Sequence, residues 1–224
     1  NWSLTVVLLL WCLYLNLSFW PDRPYVITYV FALITYLILI QPLLTWRLRL
    51  GLVLMFILWA NLHIGFVLGI IIYCLYLVER RLIRKLSRAD LILLGALLLA
   101  GLLTPYGVDL YWYPIKMFSF SKLTMIREWK PAITYRFFEK PLELMSILFT
   151  GIVGFRLVQI KKYFPGLMAA LVVLMSLKAV RYISFAGIFG AVAIAAAMAD
   201  IRPGKKIIMP WLLNAAIIAM IGLF

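Results

Sequence analysis

His63 is the only histidine in the chain, and it stands in an apolar run beside Trp59 and Asn61. An ionisable side chain is costly at membrane depth, so such a residue is a functional candidate by default. An imidazole there can bind a phosphate, position a hydroxyl or act as a base; its structural alternative is a hydrogen-bonded cap on a helix break. Lys178 and Arg181 stand between two other apolar runs. Three residues apart, they can face one way at a helix end and grip a phosphate or pyrophosphate, or else snorkel to headgroups. In Met125-Ile-Arg-Glu-Trp-Lys-Pro131, the charges of Arg127, Glu128 and Lys130 surround Trp129. That grouping suits a surface holding a polar substrate against a membrane, and equally an interfacial anchor of aromatic and basic residues.

The elements that must position these groups follow from composition. Apolar residues make up 66% of the 224 residues and charged residues 13%, whereas soluble domains are about half apolar. Apolar runs long enough to cross a hydrocarbon core of about 30 Å recur along the chain. In lipid the backbone must satisfy its own hydrogen bonds, which leaves helix or closed barrel. Barrel strands alternate apolar and polar residues, but Ala186 to Ala199 is continuously apolar. The expected fold is therefore all-α: a polytopic transmembrane bundle of about eight or nine membrane helices. The spans are roughly 3–20, 25–42, 50–61, 64–82, 90–104, 142–159, 164–178, 182–200 and 207–224. Residues 1–224 form a single transmembrane domain, and both ends read as cuts through a longer polypeptide.

The run from Leu50 to Val78 would be about 43 Å long as one helix, and basic clusters flank it on both sides. A break near Asn61-Leu-His-Ile-Gly65 makes two crossings and returns both clusters to one face; a single tilted helix is the alternative. Lys and Arg bias then orients the bundle. Arg47/Arg49, the Arg80–Arg88 cluster, Lys161/Lys162 and Arg202/Lys205/Lys206 lie inside. The loop 105–141 lies outside and carries an aromatic, interfacial amphipathic segment, Val108 to Phe120. Asp22, Asp109, Glu128, Glu139 and Glu143 fall outside, Glu79, Asp90 and Asp200 inside. Small residues at Gly65/Gly69 and at Gly187, Ala191, Ala195 and Ala199 let helices approach closely.

Net charge is +14, which fits juxtamembrane Lys and Arg and, at some positions, anionic lipid or phosphate. Nucleic acid is not expected as a partner, since no soluble basic domain exists to hold it. Cys12 and Cys74 lie in apolar segments and suggest neither a disulfide framework nor a metal site. No Walker A loop, paired HxxxH, dinucleotide fingerprint or Ser-centred elbow occurs, so no cofactor is evident.

Several motifs together carry a resemblance. They are Arg23-Pro-Tyr25, Trp59-Ala-Asn-Leu-His-Ile-Gly-Phe66, Thr104-Pro-Tyr-Gly-Val-Asp-Leu-Tyr-Trp-Tyr-Pro114, Ile126-Arg-Glu-Trp129 and Arg181-Tyr-Ile-Ser-Phe185. In this order and spacing the chain resembles GT-C-type polytopic membrane glycosyltransferase-like proteins, a protein mannosyltransferase-like bacterial group, over most of residues 20–200. The group's pattern has Asn-Pro-Tyr-Gly and His-Gly-Gly-Phe, where this chain has Thr104 and Ile64. The resemblance implies transfer of a sugar from a polyprenyl-phosphate donor at the outer face of a bacterial cytoplasmic (inner) membrane. It implies an acidic residue in the first outer loop as base or metal ligand; that loop corresponds to sequence before Asn1, so a divalent metal has no ligands identifiable here. It implies donor binding by Lys178 and Arg181 on the phosphate, Asn61 and His63 at the cavity floor, and Glu128 and Trp129 at the entrance. Two other readings stand beside it: a transporter or flippase for a lipid-linked or anionic solute, and a structural membrane subunit with protein partners at its ends.

Overall fold

In the computed structural model, residues 2–17, 25–118, 126–132 and 141–199 are described. The expected helix 207–224, the cluster Arg202/Lys205/Lys206, and Asp22, Arg23, Glu139 and Asp200 lie outside them. The described residues contain no strand. Their helices are α1 (Trp2–Leu17), α2 (Val26–Leu39), α3 (Trp46–Leu62), α4 (Phe66–Leu82), α5 (Arg88–Leu102), α6 (Asp109–Phe118), α7 (Pro141–Gln159), α8 (Tyr163–Lys178) and α9 (Ile183–Ala199). Short 3₁₀ turns cover Arg127–Trp129 and Val180–Tyr182. Pro141–Gln159 (19 residues) and Val180–Ala197 (18 residues) are long and apolar enough to cross a membrane, and Val26–Leu39 and Tyr163–Lys178 are shorter apolar helices.

The chain divides into two compact units, a central one over Trp20–Trp129 and a terminal one that joins Asn1–Phe19 to Lys130–Phe224. In the central unit α3 packs on α5, and α2 on α4. The break after α3 is present: His63 takes an extended conformation (φ −157°, ψ 137°) and α4 starts again at Phe66. One long tilted helix is thereby replaced by two. Helix α3 begins at Trp46, earlier than the expected 50, because the Thr45 side chain accepts a hydrogen bond from the Leu48 backbone N–H at 3.4 Å. A hydroxyl at that position satisfies one of the N–H groups left over at a helix start. The extension places Arg47 and Arg49 inside the first turns of the helix. Ser87 and Asp90 form a reciprocal capping box that starts α5.

Gly69 and Gly101 in the central unit are notches for aromatic rings. A Cβ on Gly69 would lie 2.5 Å from Trp59 and 2.7 Å from Phe56, and one on Gly101 would collide with Tyr111 and Phe66. Helix α6 docks through this second notch: the Tyr111 hydroxyl donates to the Leu98 carbonyl, and its ring meets Phe66 edge-on at 5.3 Å. Burial raises the Tyr111 pKa above the ordinary phenol range, while a backbone hydrogen bond to Gly101 lowers it, so at neutral pH the hydroxyl keeps the proton it donates. Trp112, Tyr113 and Ile115 of the same helix are exposed, which gives α6 the two-faced character expected of 108–120.

In the terminal unit glycines let helices approach so closely that backbone and short side chains meet. A Cβ on Gly166 would lie 2.9 Å from the Gly154 carbonyl, and one on Gly154 would lie 2.6 Å from Ala169. Helices α7 and α8 therefore form a close antiparallel hairpin. Helix α9 crosses α7 where Gly190 faces Thr150. Its packing against the neighbouring helices runs through Ala186, Gly190 and Ala193, and Gly187 of the expected Gly187/Ala191/Ala195/Ala199 stripe is buried as well. The Thr150 hydroxyl leaves room for glycine alone at position 190, since a Cβ there would lie 2.6 Å from it. The core at one end gathers Leu15, Ile147, Val180, Ile183 and Ala186 around Ala132. The Val180 N–H donates to the Lys130 carbonyl at 3.0 Å, tying the segment before α7 to the α8–α9 corner.

Candidate functional site

The α3–α4 break is built around the ring of His63. The Gly65 backbone N–H donates to its Nδ1 at 2.9 Å. Nδ1 is therefore an acceptor, and the hydrogen of the neutral ring is assigned to Nε2. The Thr28 hydroxyl lies 2.8 Å from the same nitrogen and must donate to it. The Thr28 oxygen in turn accepts from the Trp59 indole N–H at 3.3 Å. Trp59 is fully buried and Thr28 nearly so. A Cβ on Gly65 would drive into Thr28 and the imidazole, so the turn admits only glycine. With Nδ1 engaged by two donors, the ring's own hydrogen stands on Nε2. Taking up a proton there would require the other tautomer, which the Gly65 N–H opposes. Of the roles open to an imidazole at this position, the geometry disfavours general base chemistry.

Asn61, one turn earlier, is exposed. Its amide donates to the Ile57 carbonyl at 2.8 Å and to the Leu103 carbonyl at 3.1 Å. Leu103 is the C-cap of α5, so Asn61 clamps the ends of α3 and α5 and satisfies a carbonyl that the helix cannot. Thr104 follows, its hydroxyl donating to the Gly101 carbonyl at 3.2 Å. Residues from three separate stretches of sequence, at 28, 59–66 and 101–111, thus meet at one end of the central unit.

The other expected site residues fall elsewhere. Glu128 and Trp129 sit half-buried on the 3₁₀ turn at the end of the central stretch. Lys178 is the exposed last residue of α8, and Arg181 is half-buried in the next turn with its guanidinium 5.8 Å from the centre of the Tyr182 ring. These two cations share one corner of the terminal unit, whereas Asn61 and His63 share one end of the central unit.

A second polar centre, which sequence reasoning missed, occupies the opposite end of the central unit. Asp90 is fully buried there. Its Oδ1 lies 3.3 Å from Arg49 Nη2 and its Oδ2 lies 3.6 Å from Arg80 Nε. Oδ2 also accepts from the Ser87 N–H at 3.0 Å and the Ser87 hydroxyl at 2.7 Å. The Tyr73 hydroxyl donates to the Asp90 backbone carbonyl at 2.9 Å, and the Arg80 guanidinium lies 5.9 Å from the Tyr76 ring centre. The only sequence signal was the Ser87-x-x-Asp90 spacing, which marks a helix start and says nothing of arginine partners. Among the described residues no group of three or more His, Cys, Asp or Glu side chains can hold a metal ion.

The chain matches no protein-family model, no curated protein and no solved structure.

Proposed function

We propose that the chain is the membrane-embedded part of a glycosyltransferase that takes a sugar from a polyprenyl-phosphate donor at the outer face of a bacterial inner membrane. The membrane part of this reading rests on apolar side chains that point away from the protein. On α7, Leu148, Ile152 and Phe155 are each about two-thirds exposed, and on α3 Leu50, Leu54, Leu58 and Leu62 form an exposed file. Both helices also bury apolar residues on the inner side. A helix that is apolar all round needs protein or lipid on every face. The bundle then crosses the bilayer several times, with the His63 end outside and the Asp90 end inside.

The observation that carries the transferase part is the meeting of the resemblance motifs at one helix end. Trp59, Asn61, His63, Gly65 and Phe66 come together there with Gly101, Thr104 and Tyr111. In this reading the His63 ring contacts the substrate, and the exposed aromatic face of α6 shelters the polyprenyl chain at the interface. The corner bearing Lys178 and Arg181 is assigned contact with donor phosphate, where fixed cations favour a leaving anion.

In the full-length protein His63→Asn keeps an acceptor for Thr28 and Gly65 but removes the Nε2 donor. Its affinity for a polyprenyl-phosphate sugar is expected to fall about tenfold, the scale of one hydrogen bond to a charged group, with little change in thermal stability. Arg181→Ala is expected to lower donor affinity more than Arg156→Ala, which sits on an exposed helix end. Unchanged affinity in both His63→Asn and Arg181→Ala sinks the transferase reading. The orientation has its own test: a cysteine at Tyr106 should react with an impermeant reagent from outside, and one at Lys85 should not.

A further inference from the structure

We infer that the Asp90 end of the central unit is a binding site for the phosphate headgroup of an anionic membrane lipid, with Arg49 and Arg80 as its specific contacts. The two arginines bring more positive charge than Asp90 can balance, and the acid takes a hydrogen bond from Arg49 Nη2 alone, so the exposed parts of both guanidinium groups are left for a headgroup. Arg49 Nη1 and Arg80 Nε are buried and make no hydrogen bond. Arg49 is nevertheless fixed, by Asp90 on one side and by the Leu44 carbonyl, which accepts from its Nε at 3.1 Å, on the other. Arg80 is held between Asp90 and the Tyr76 ring. About a quarter of each arginine side chain remains exposed. A guanidinium whose orientation is already set loses less freedom on gripping a planar or tetrahedral oxyanion than a free one does. Around this pair stand Arg47, Arg81, Arg84, Lys85 and Arg88, all exposed. Glu79 and Asp90 are the only acids between residues 46 and 90, so the field at this end is strongly positive.

The choice of a lipid as occupant comes from what adjoins the charges. Exposed apolar side chains continue directly from them: Leu50 and Leu54 on α3, Val78 and Leu82 on α4, Leu91 and Ile92 on α5. Exposed Trp46, with Arg47 5.7 Å from its ring centre, flanks the group as an interfacial anchor does. A phosphate with acyl chains fits both surfaces at once; a free anion uses only the first. The diffuse attraction of a basic cluster to an anionic leaflet is a general effect. Here the two arginines held by Asp90 recognise the headgroup, and the exposed ones only raise its local concentration.

This inference depends on the membrane part of the reading above and is independent of the transferase part. The test titrates fluorescent phosphatidylglycerol into the full chain held in phosphatidylcholine nanodiscs. Arg80→Lys and Arg49→Lys keep the charge but lose the fork, and each should weaken binding about tenfold. Arg88→Ala removes a whole charge and should weaken it by less than about threefold, as for other exposed ions. Equal losses in all three variants, or none, overturn specific recognition. Displacement by millimolar inorganic phosphate overturns the lipid as occupant. A chain that alkaline carbonate strips from the bilayer overturns the membrane reading and this inference with it; a chain that stays but binds phosphatidylglycerol no better than phosphatidylcholine overturns the inference alone.

Discussion

The two ends of the central unit are fastened by different chemistry. At the His63 end, Trp59, Thr28, His63 and Gly65 share neutral hydrogen bonds. At the Asp90 end, a fully buried carboxylate is shared by two arginines and a serine. Helices α3 and α5 connect them in parallel, since Arg49 pairs with Asp90 at one end and Asn61 with Leu103 at the other. The two clamps on α3 are thus about 18 Å apart along the helix. A neutral network loses little on leaving water, so it can fill a helix break. An ionic one carries a large desolvation cost and is tolerable only where the cations keep contact with water or headgroups. The partly exposed arginines meet that condition. One end is built for positioning and the other for charge.

The ionic end is the more sensitive to substitution. Asp90→Ala strands two arginines and removes half of the capping box. The expected loss is about 3 kcal/mol, toward the lower end of the range for a broken buried pair because the arginines reach solvent. Denaturant unfolding in detergent measures it; a loss under about 1 kcal/mol would mean that the acid is not structurally required. At the neutral end the largest effect belongs to Gly65→Ala, whose methyl group has no room beside Thr28 and His63. Overpacking of this kind costs about 1–3 kcal/mol. His63→Ala should follow at about 2 kcal/mol, since it leaves the Thr28 hydroxyl and the Gly65 N–H without their acceptor. His63→Asn should recover most of that loss, and failure to recover it would show that the Nδ1 acceptor is not what holds the turn.

The helices were legible because apolar run length is a strong signal, and Asn61-Leu-His-Ile-Gly65 interrupts a run otherwise too long for one crossing. The start of α3 was less legible: the apolar run begins at Leu50, and nothing but the hydroxyl of Thr45 tells that Arg47 and Arg49 belong to the helix. The Asp90 centre was hidden by distance in sequence. Arg49 and Asp90 are brought together by the parallel register of α3 and α5, which no local pattern encodes. Thr28 was hidden for a different reason, since a threonine within an apolar helix normally bonds back to its own backbone, as Thr35 does to the Phe31 carbonyl. Thr28 is turned to His63 by the tertiary structure alone.

The smallest effect bears on how the ionic end is closed. Helix α4 ends with Arg84 in the left-handed region (φ 55°), and the Lys85 N–H donates back to the Arg80 carbonyl at 2.8 Å. Helix α7 ends in the same way, with Lys161 at φ 63° and the Lys162 N–H on the Leu157 carbonyl at 2.9 Å. Glycine is the residue that this helix-ending motif ordinarily prefers. A basic residue in its place gives up backbone comfort and gains attraction to the negative end of the helix. Arg84→Gly should therefore stabilise the protein in neutral detergent by about 0.5 kcal/mol. In a bilayer containing phosphatidylglycerol that gain should shrink or reverse, because the lost charge then matters more. Lys161→Gly should behave alike if its turn also faces headgroups, and a gain that is the same in both media would separate the two turns.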